Sequence, residues 1–286
     1  MSLPRWYRIV MDFSEAYDAV LAKWPVPVEP AEVDSPYGMT RVNVCGLPGG
    51  KPLVLLHSGG ATSTVWCNNV ADLTRSHRVY AVDQINDAGR SVPDGRPVRS
   101  RDDLMAWLDA VLTGLGLHTM RLCGHSYGGW LALGYTLHAP QRVSHLALLD
   151  PTLCFAGMRL SYRLRAVPLF LPGPRAARMR AFLRWETGGA RLDPDWLELV
   201  ALAAEAHRSK IVMPREPAPE QLRNLRVPTL VLVAEKTRSH DPARVAANAR
   251  ALLPQVLTGV LPDATHHTIP IGQAADLNHQ LTRFLA

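Results

Sequence analysis

MRLCGHSYGGWLALGYTLHAP, residues 120–140, sets a serine among glycines between two unlike stretches. MRLC has the character of a short strand, and GGWLALGYTLHAP has the character of a helix. Gly124-His125-Ser126-Tyr127-Gly128 fits the pattern G-x-S-x-G. A sharp strand-to-helix corner forces its central residue into a strained backbone conformation. The residues two before and two after must be small, because two backbones pass close there. The corner presents the Ser126 hydroxyl at the amino end of a helix, and the next backbone N–H, that of Tyr127, points where an oxyanion would form.

A second loop has matching chemistry. The apolar run PLVLLH (52–57) leads into HSGGATSTVW (57–66). A His-Gly-Gly-type loop after an early strand supplies a second backbone donor for an oxyanion, here the N–H of Gly59. Glycine suits that place because the backbone must approach a substrate closely. Ser58 stands where a glycine is more usual.

Around these loops, strand-like runs alternate with helical patterns. TRVNVCG (40–46), PLVLLH (52–57), RVYAVD (78–83), MRLCGH (120–125), HLALLD (145–150), PTLVLVAE (228–235) and VLTGVLP (256–262) read as strands. Several are continuous apolar runs, as in strands buried on both faces. In RDDLMAWLDAVLTGLGL, residues 101–117, Leu104, Trp107, Leu108, Val111, Leu112 and Leu115 repeat at three and four, with Asp102 and Asp103 in the first turn. This alternation predicts an α/β fold with a mostly parallel sheet. Residues 151–227 break it, since RLSYRLRAVPLFL, RAARMRAFLRWETGG and PDWLELVALAAEAHR read as helices between Pro and Gly.

Composition narrows the function classes. The chain has 286 residues, 47% hydrophobic and 20% charged, as in an ordinary globular domain. No apolar run approaches the roughly 20 residues of a membrane span, and the first twenty residues lack the apolar core of a signal peptide. The expected location is cytoplasmic, with no membrane partner. The formal charge of +6 comes from scattered arginines rather than a dense stripe, so nucleic acid is not an expected partner. Cys45, Cys67, Cys123 and Cys154 form no CxxC pair and are expected to be reduced.

The HSGG loop, VDQINDAGRS (82–91), GHSYGG and the terminal ATHHTIPIGQAADLNHQLTRFL together resemble the α/β-hydrolase family in its lid-bearing, esterase-like form. The resemblance covers about residues 37–286, and AYDAVLAKWPVPVEP resembles the amino-terminal helix and linker of some bacterial members. It implies a parallel sheet with helices on both faces and a helical lid inserted after the sixth strand. The implied divisions are an N-terminal helix and linker (1–36), a first core part (37–150), the lid (151–227) and a second core part (228–286).

The resemblance also guides the search for a base and an acid. The family carries its histidine after the last strand, in a Gly-His pair, often with an Asn eleven residues later. Asn278 is eleven residues after His267, so His267 is the expected base, with His266 at the glycine position and as the alternative. Adjacent imidazoles diverge, and no cysteine or carboxylate cluster completes a metal site there, so no metal is expected. The family's acid follows the strand matching TLVLVAE in a G-x-x-D pattern, but Ala234-Glu235-Lys236-Thr237 puts a threonine at the acid position. Three carboxylates are candidates: Asp150 at the end of HLALLD, Asp241 in SHDPARV, and Glu235. Asp241 precedes a proline, which is also a helix N-cap signature.

These parts imply a serine hydrolase that cleaves an ester or related acyl bond of a small, apolar molecule without a cofactor. Tyr162, Phe170, Phe182 and Trp185 are candidates to line its pocket or simply to fill the core. The alternative is a non-catalytic ligand-binding member, or a cofactor-free lyase-type member, of the same fold. The expected assembly is a monomer or homodimer.

Overall fold

The computed structural model describes residues 5–206, 211–272 and 274–286. Its strands are β1 (Val28–Ser35), β2 (Gly38–Cys45), β3 (Lys51–Leu56), β4 (His77–Val82), β5 (Met120–His125), β6 (Val143–Leu149), β7 (Thr229–Ala234) and β8 (Val256–Leu261). They form one sheet in the order β1-β2-β4-β3-β5-β6-β7-β8. β2 runs antiparallel to β1 and β4, and every pairing from β4 to β8 is parallel.

The helices are α1 (Arg5–Leu21), α2 (Val70–Leu73), α3 (Arg101–Gly114), α4 (Tyr127–His138), α5 (Leu160–Ala166), α6 (Arg175–Glu186), α7 (Pro194–Ala206), α8 (Pro219–Asn224), α9 (Pro242–Leu252) and α10 (Ala274–Leu285). In α3 the expected stripe of Leu104, Trp107, Leu108, Val111 and Leu112 is buried, while Leu115, the last of the expected stripe, is the C-cap and only half-buried. Ser100 caps it, its Oγ accepting from Asp103 N at 3.1 Å while the Asp103 carboxylate accepts from Ser100 N at 3.0 Å. This reciprocal box contributes about 1 kcal/mol.

Alternate residues of each central strand feed opposite cores, as the two-residue period requires. Val54 and Leu56 of β3 and Val231 and Val233 of β7 pack with Trp107, Leu108 and Leu133 on one face. Leu53, Leu55, Leu230 and Leu232 pack with Tyr17, Trp66 and Leu281 on the other. Every residue of β7 is buried. Each large aliphatic side chain there contributes about 1.5–3 kcal/mol.

One expectation needs adjusting. Val28–Ser35 forms β1, paired with β2 through Ser35↔Gly38, so this hairpin straddles the expected boundary at residues 36 and 37. VEPAEVDS carries no alternating apolar signal because β1 is an edge strand, and an edge also tolerates Pro30. Between β6 and β7 the described chain is helical, with α5 to α8 and a 3-10 turn at Val167–Phe170. The predicted end of the third helix there, residues 207–208, lies outside the described residues, as do residues 1–4 and 273. Among the described residues no helix is long and apolar enough to cross a membrane, and all four cysteines are free.

The parallel arrangement decides where a site can form. The carboxyl ends of β3, β5, β6, β7 and β8 share one edge of the sheet, the usual place for ligands in open α/β sheets. The pairs His125↔Leu149, Leu149↔Leu232 and Ala234↔Leu261 bring the loops after four strands side by side.

Candidate active site

Ser126 occupies the corner between β5 and α4 with φ 56° and ψ −115°, in the left-handed region a serine rarely adopts. Such a conformation costs on the order of 1–3 kcal/mol. It is held by Ser126 N donating to Leu149 O at 2.9 Å and by the backbones that crowd it. A Cβ on Gly124 would lie 2.1 Å from Gly128 O, and one on Gly128 would lie 2.3 Å from Leu56 O. The spacing of G-x-S-x-G is therefore a steric requirement of this corner.

The Ser126 hydroxyl meets an imidazole, and that imidazole belongs to His266. His266 Nε2 lies 2.7 Å from Ser126 Oγ, and His266 Nδ1 lies 2.6 Å from Asp150 Oδ2. The carboxylate only accepts, so Nδ1 carries the proton and donates to Asp150, leaving the Nε2 lone pair for the serine hydroxyl. Thr152 Oγ1 shares a second hydrogen bond with Ser126 Oγ at 3.1 Å. Burial pulls the His266 imidazole down, but the hydrogen bond and charge of Asp150, with the charge of Glu186, leave it above the usual 6.5.

His267 is the correction to the expected base. Both histidines lie on one 3-10 turn, His266–Thr268, and consecutive side chains there point in different directions. The rings stand 5.0 Å apart at 87°. His267 Nε2 hydrogen-bonds the Tyr162 hydroxyl at 3.2 Å, and its ring meets Phe182 edge-on. Burial pushes its imidazole down to about 4. Asn278, whose spacing favoured His267, is occupied elsewhere: Asn69 Nδ2 donates to its Oδ1, and its Nδ2 donates to Asn68 O and Asp72 Oδ2. That network fastens α10 to α2 and says nothing about which histidine turns inward.

Asp150 ends β6 with φ 43° and is wholly buried. Four donors satisfy its carboxylate. Oδ2 accepts from His266 Nδ1 and from Thr237 Oγ1 at 2.8 Å. Oδ1 accepts from His240 Nε2 at 2.9 Å and from Ala234 N at 3.1 Å. Burial pushes this carboxyl up, but the imidazoles of His240 and His266 outweigh that and hold it well below the ordinary carboxylate range. Thr237, at the position of the family's acid, thus stands against a carboxylate from the neighbouring strand and donates to it.

The other two carboxylates lie outside this cluster. Asp241 caps α9, its Oδ1 accepting from Ala243 N at 3.0 Å and Arg244 N at 3.2 Å. The Asp-Pro signature is here a helix cap and nothing more. Glu235 is exposed and accepts from Asp263 N at 2.9 Å.

On the loop after β3, Gly59 sits beside Tyr127: a Cβ on Gly59 would lie 3.6 Å from the Tyr127 Cβ. His57 braces this loop, its Nδ1–H donating to Ser58 O at 2.8 Å and its Nε2 accepting from Gln84 N at 3.1 Å. Gly60 N donates to Asp87, and Ala61 N donates to Ser58 O. The Gly59 N–H meets no acceptor among the described residues. Tyr127 N opens α4, where helix geometry leaves the amide without an intrahelical partner.

A cavity of about 210 Å³ adjoins this loop, lined by Gly59, Tyr162, Leu169, Phe182, Trp196 and His267 among others. Phe170 borders it and is 83% exposed. Trp185 lies against Tyr162 and Phe182, with the Arg238 guanidinium 5.0 Å from its ring.

Four polar residues of this site escaped the sequence reading: Thr152, Glu186, His240 and Ser239, whose Oγ lies 3.3 Å from His266 Nδ1. His240 is the neighbour of Asp241, so the SHD stretch was informative one residue earlier than it was read. Thr152 directly follows the Asp-Pro that ends β6. Glu186 sits on α6, with no motif to mark it.

The model of the alpha/beta hydrolase family matches residues 53–280. Carboxylesterase YbfK of Bacillus subtilis (strain 168) is 27% identical over 281 residues, which cover 96% of this chain and 93% of that protein. The crystal structure of naproxen esterase (carboxylesterase NP) from Bacillus subtilis superposes with a TM-score of 0.90 at 27% identity, covering 100% of both chains. A meta-cleavage product hydrolase from Pseudomonas fluorescens IP01 superposes with a TM-score of 0.74 at 19% identity, covering 89% of this chain and 96% of that one. That last likeness is one of fold alone.

Proposed function

Because the chain belongs to the alpha/beta hydrolase family, we propose that it is a serine carboxylesterase in which Ser126 is the nucleophile, His266 the base and Asp150 the acid. The observation that carries this reading is the relay from Ser126 Oγ through His266 to Asp150, at 2.7 and 2.6 Å, on a strained corner. The full-length likeness to carboxylesterases supports an ester as the substrate.

In this reading Ser126 Oγ attacks the ester carbonyl while His266 Nε2 takes its proton. The developing oxyanion is met by the N–H groups of Gly59 and Tyr127, fixed in place before the reaction. The tetrahedral intermediate collapses, its C–O bond breaks, and His266 returns the proton to the departing alkoxide. Water, deprotonated by His266, then attacks the acyl-serine, and His266 returns that proton to Ser126 Oγ as the acyl C–O bond breaks and the carboxylic acid leaves. Asp150 keeps the proton of the resting imidazole on Nδ1 and stabilises the imidazolium. The chemistry needs no cofactor.

The cavity beside Gly59 receives one part of the substrate, and α5 to α7 serve as the lid over it. Its walls are mostly apolar, and 210 Å³ is below the roughly 300–1,000 Å³ of pockets for drug-sized ligands. A small apolar acyl or alcohol group fits these walls. His267, neutral and bound to Tyr162, is part of the wall rather than the relay.

A fluorophosphonate probe and a panel of p-nitrophenyl esters and thioesters of graded chain length test the reading together. Labelling on Ser126 is expected, with hydrolysis favouring short acyl chains. A folded protein that stays unlabelled and cleaves none of the panel would leave the non-catalytic alternative standing.

Asp150→Asn tests the relocated acid. The amide keeps the shape but presents an NH2 group or a weaker acceptor to His266, so the imidazole is held in the wrong tautomer. A kcat loss on the order of 10⁴ is expected, by analogy with the same change in serine proteases. Asp241→Asn should leave kcat unchanged, since Asn caps a helix about as well as Asp. Thr237→Asp in the Asp150→Asn background should restore part of the rate. An Asp241→Asn enzyme that is folded and dead, beside an active Asp150→Asn, reverses the assignment.

A further inference from the structure

We propose that Glu186 is a positioning residue for the base: a buried carboxylate, carried by the lid rather than by the sheet, that holds the turn bearing His266 and keeps a negative charge near its imidazole. The inference rests on the reading of Ser126, His266 and Asp150 as the catalytic relay.

Glu186 ends α6 and is wholly buried. Three donors converge on its carboxylate, all from the histidine turn. Oε1 accepts from His266 N at 3.1 Å, and Oε2 accepts from His267 N at 3.2 Å and from Thr265 Oγ1 at 3.0 Å. The location is unfavourable for a carboxylate on two counts. Burial penalises its charge unless it is well bonded. The last turn of a helix is the negative end of the dipole. The three donors offset both, and they tie the backbone of the base itself to the lid.

The charged and titratable groups around His266 come from several elements. β5 contributes His125, whose Nε2 donates to His266 O at 2.8 Å. Beyond β6 and β7 lie Asp150 and His240, the second ring 6.3 Å from that of His266. Its own turn adds His267, and α5 adds Tyr162 with a ring 6.1 Å away. Asp150 touches the imidazole directly, and Glu186 is the second anion that raises it. On its other side Glu186 borders a cavity of about 590 Å³ lined also by Arg191, Asp193, Lys236, Arg238 and Asp263.

The test is the pH dependence of p-nitrophenyl acetate hydrolysis by the full chain and by Glu186→Gln and Glu186→Asp. The base must be neutral, so kcat/KM falls as pH drops through the pKa of His266. Removing a nearby negative charge lowers that pKa, so the acid limb of Glu186→Gln should move to lower pH. Its kcat should fall by roughly 10–100-fold, as for outer partners of metal-bound histidines, with KM changed by less than about 3-fold. Glu186→Asp withdraws the charge by one methylene, and its acid limb should fall between the two. An anchor with no electrostatic role would lower the melting temperature and leave the acid limb in place, and that result overturns the proposal. So does a folded variant of either kind with wild-type kcat and an unmoved limb. If Glu186→Gln does not fold, Glu186→Asp decides by the same two readings. Turnover by Ser126→Ala would instead remove the catalytic reading itself, which separates the two failures.

Discussion

Ser126→Ala should lose on the order of 10⁴- to 10⁶-fold in kcat while remaining folded. Alanine accepts the φ of 56° about as reluctantly as serine, so the strain at the corner is carried over and not relieved. Only the hydroxyl disappears, with its hydrogen bonds to His266 Nε2 and Thr152 Oγ1. The two glycines and the bond from residue 126 N to Leu149 O hold the backbone of the corner as before. The variant should therefore keep its circular dichroism spectrum and lose its fluorophosphonate label. Residual hydrolysis would come from the two backbone donors and from binding alone. Turnover near the wild-type rate in a folded Ser126→Ala would end the serine-hydrolase reading.

His266→Ala should cost about as much as Ser126→Ala, because members of one relay fail as a unit. His267→Ala should cost less than about 10-fold in kcat, with its main effect on KM through the cavity wall. The contrast is steep for two adjacent, chemically identical residues, and the reason is geometric. His266 stands between a hydroxyl at 2.7 Å and a carboxylate at 2.6 Å. His267 has a phenol at 3.2 Å and an edge-on phenylalanine ring. Burial pulls both imidazoles down, but at His266 the hydrogen bond and charge of Asp150 outweigh it and leave that ring above the usual 6.5, while His267, without that bond, is held down at about 4. Single-turnover rates of the two variants on one p-nitrophenyl ester measure the contrast directly. A dead His267→Ala beside an active His266→Ala would mean that the turn rearranges when substrate binds.

The corner at Ser126 and the strands around it were legible because local sterics and periodicity dictate them. Gly124 and Gly128 are small for a reason any reader of the motif can state, and the continuous apolar runs of β3, β5, β6 and β7 announce strands covered on both faces. β1 was not legible, since an edge strand can be polar and hold a proline. The imidazole that meets Ser126 stands one residue before the expected base because the spacing to Asn278 tracks the packing of α10 against Asn68, Asn69 and Asp72, which is indifferent to the rotation of the turn at 266–268.

By itself, then, the sequence determined the mostly parallel α/β architecture, the strained corner and the serine on it, because apolar periodicity and glycine spacing mark them along the chain even where the contact, as of Gly128 with Leu56 O, is with a distant strand. That His266 rather than His267 meets Ser126, that Asp150 rather than Asp241 meets His266, and that His240 and Glu186 lie around them follow only from tertiary structure. Asp150 is 116 residues from His266, and Glu186 is 80. Such partners meet because strand register aligns β6 with β7 and β8, and because α6 folds back over the carboxyl edge. Whether a carboxylate is a helix cap or the partner of a base depends on which donors it faces once the chain has closed.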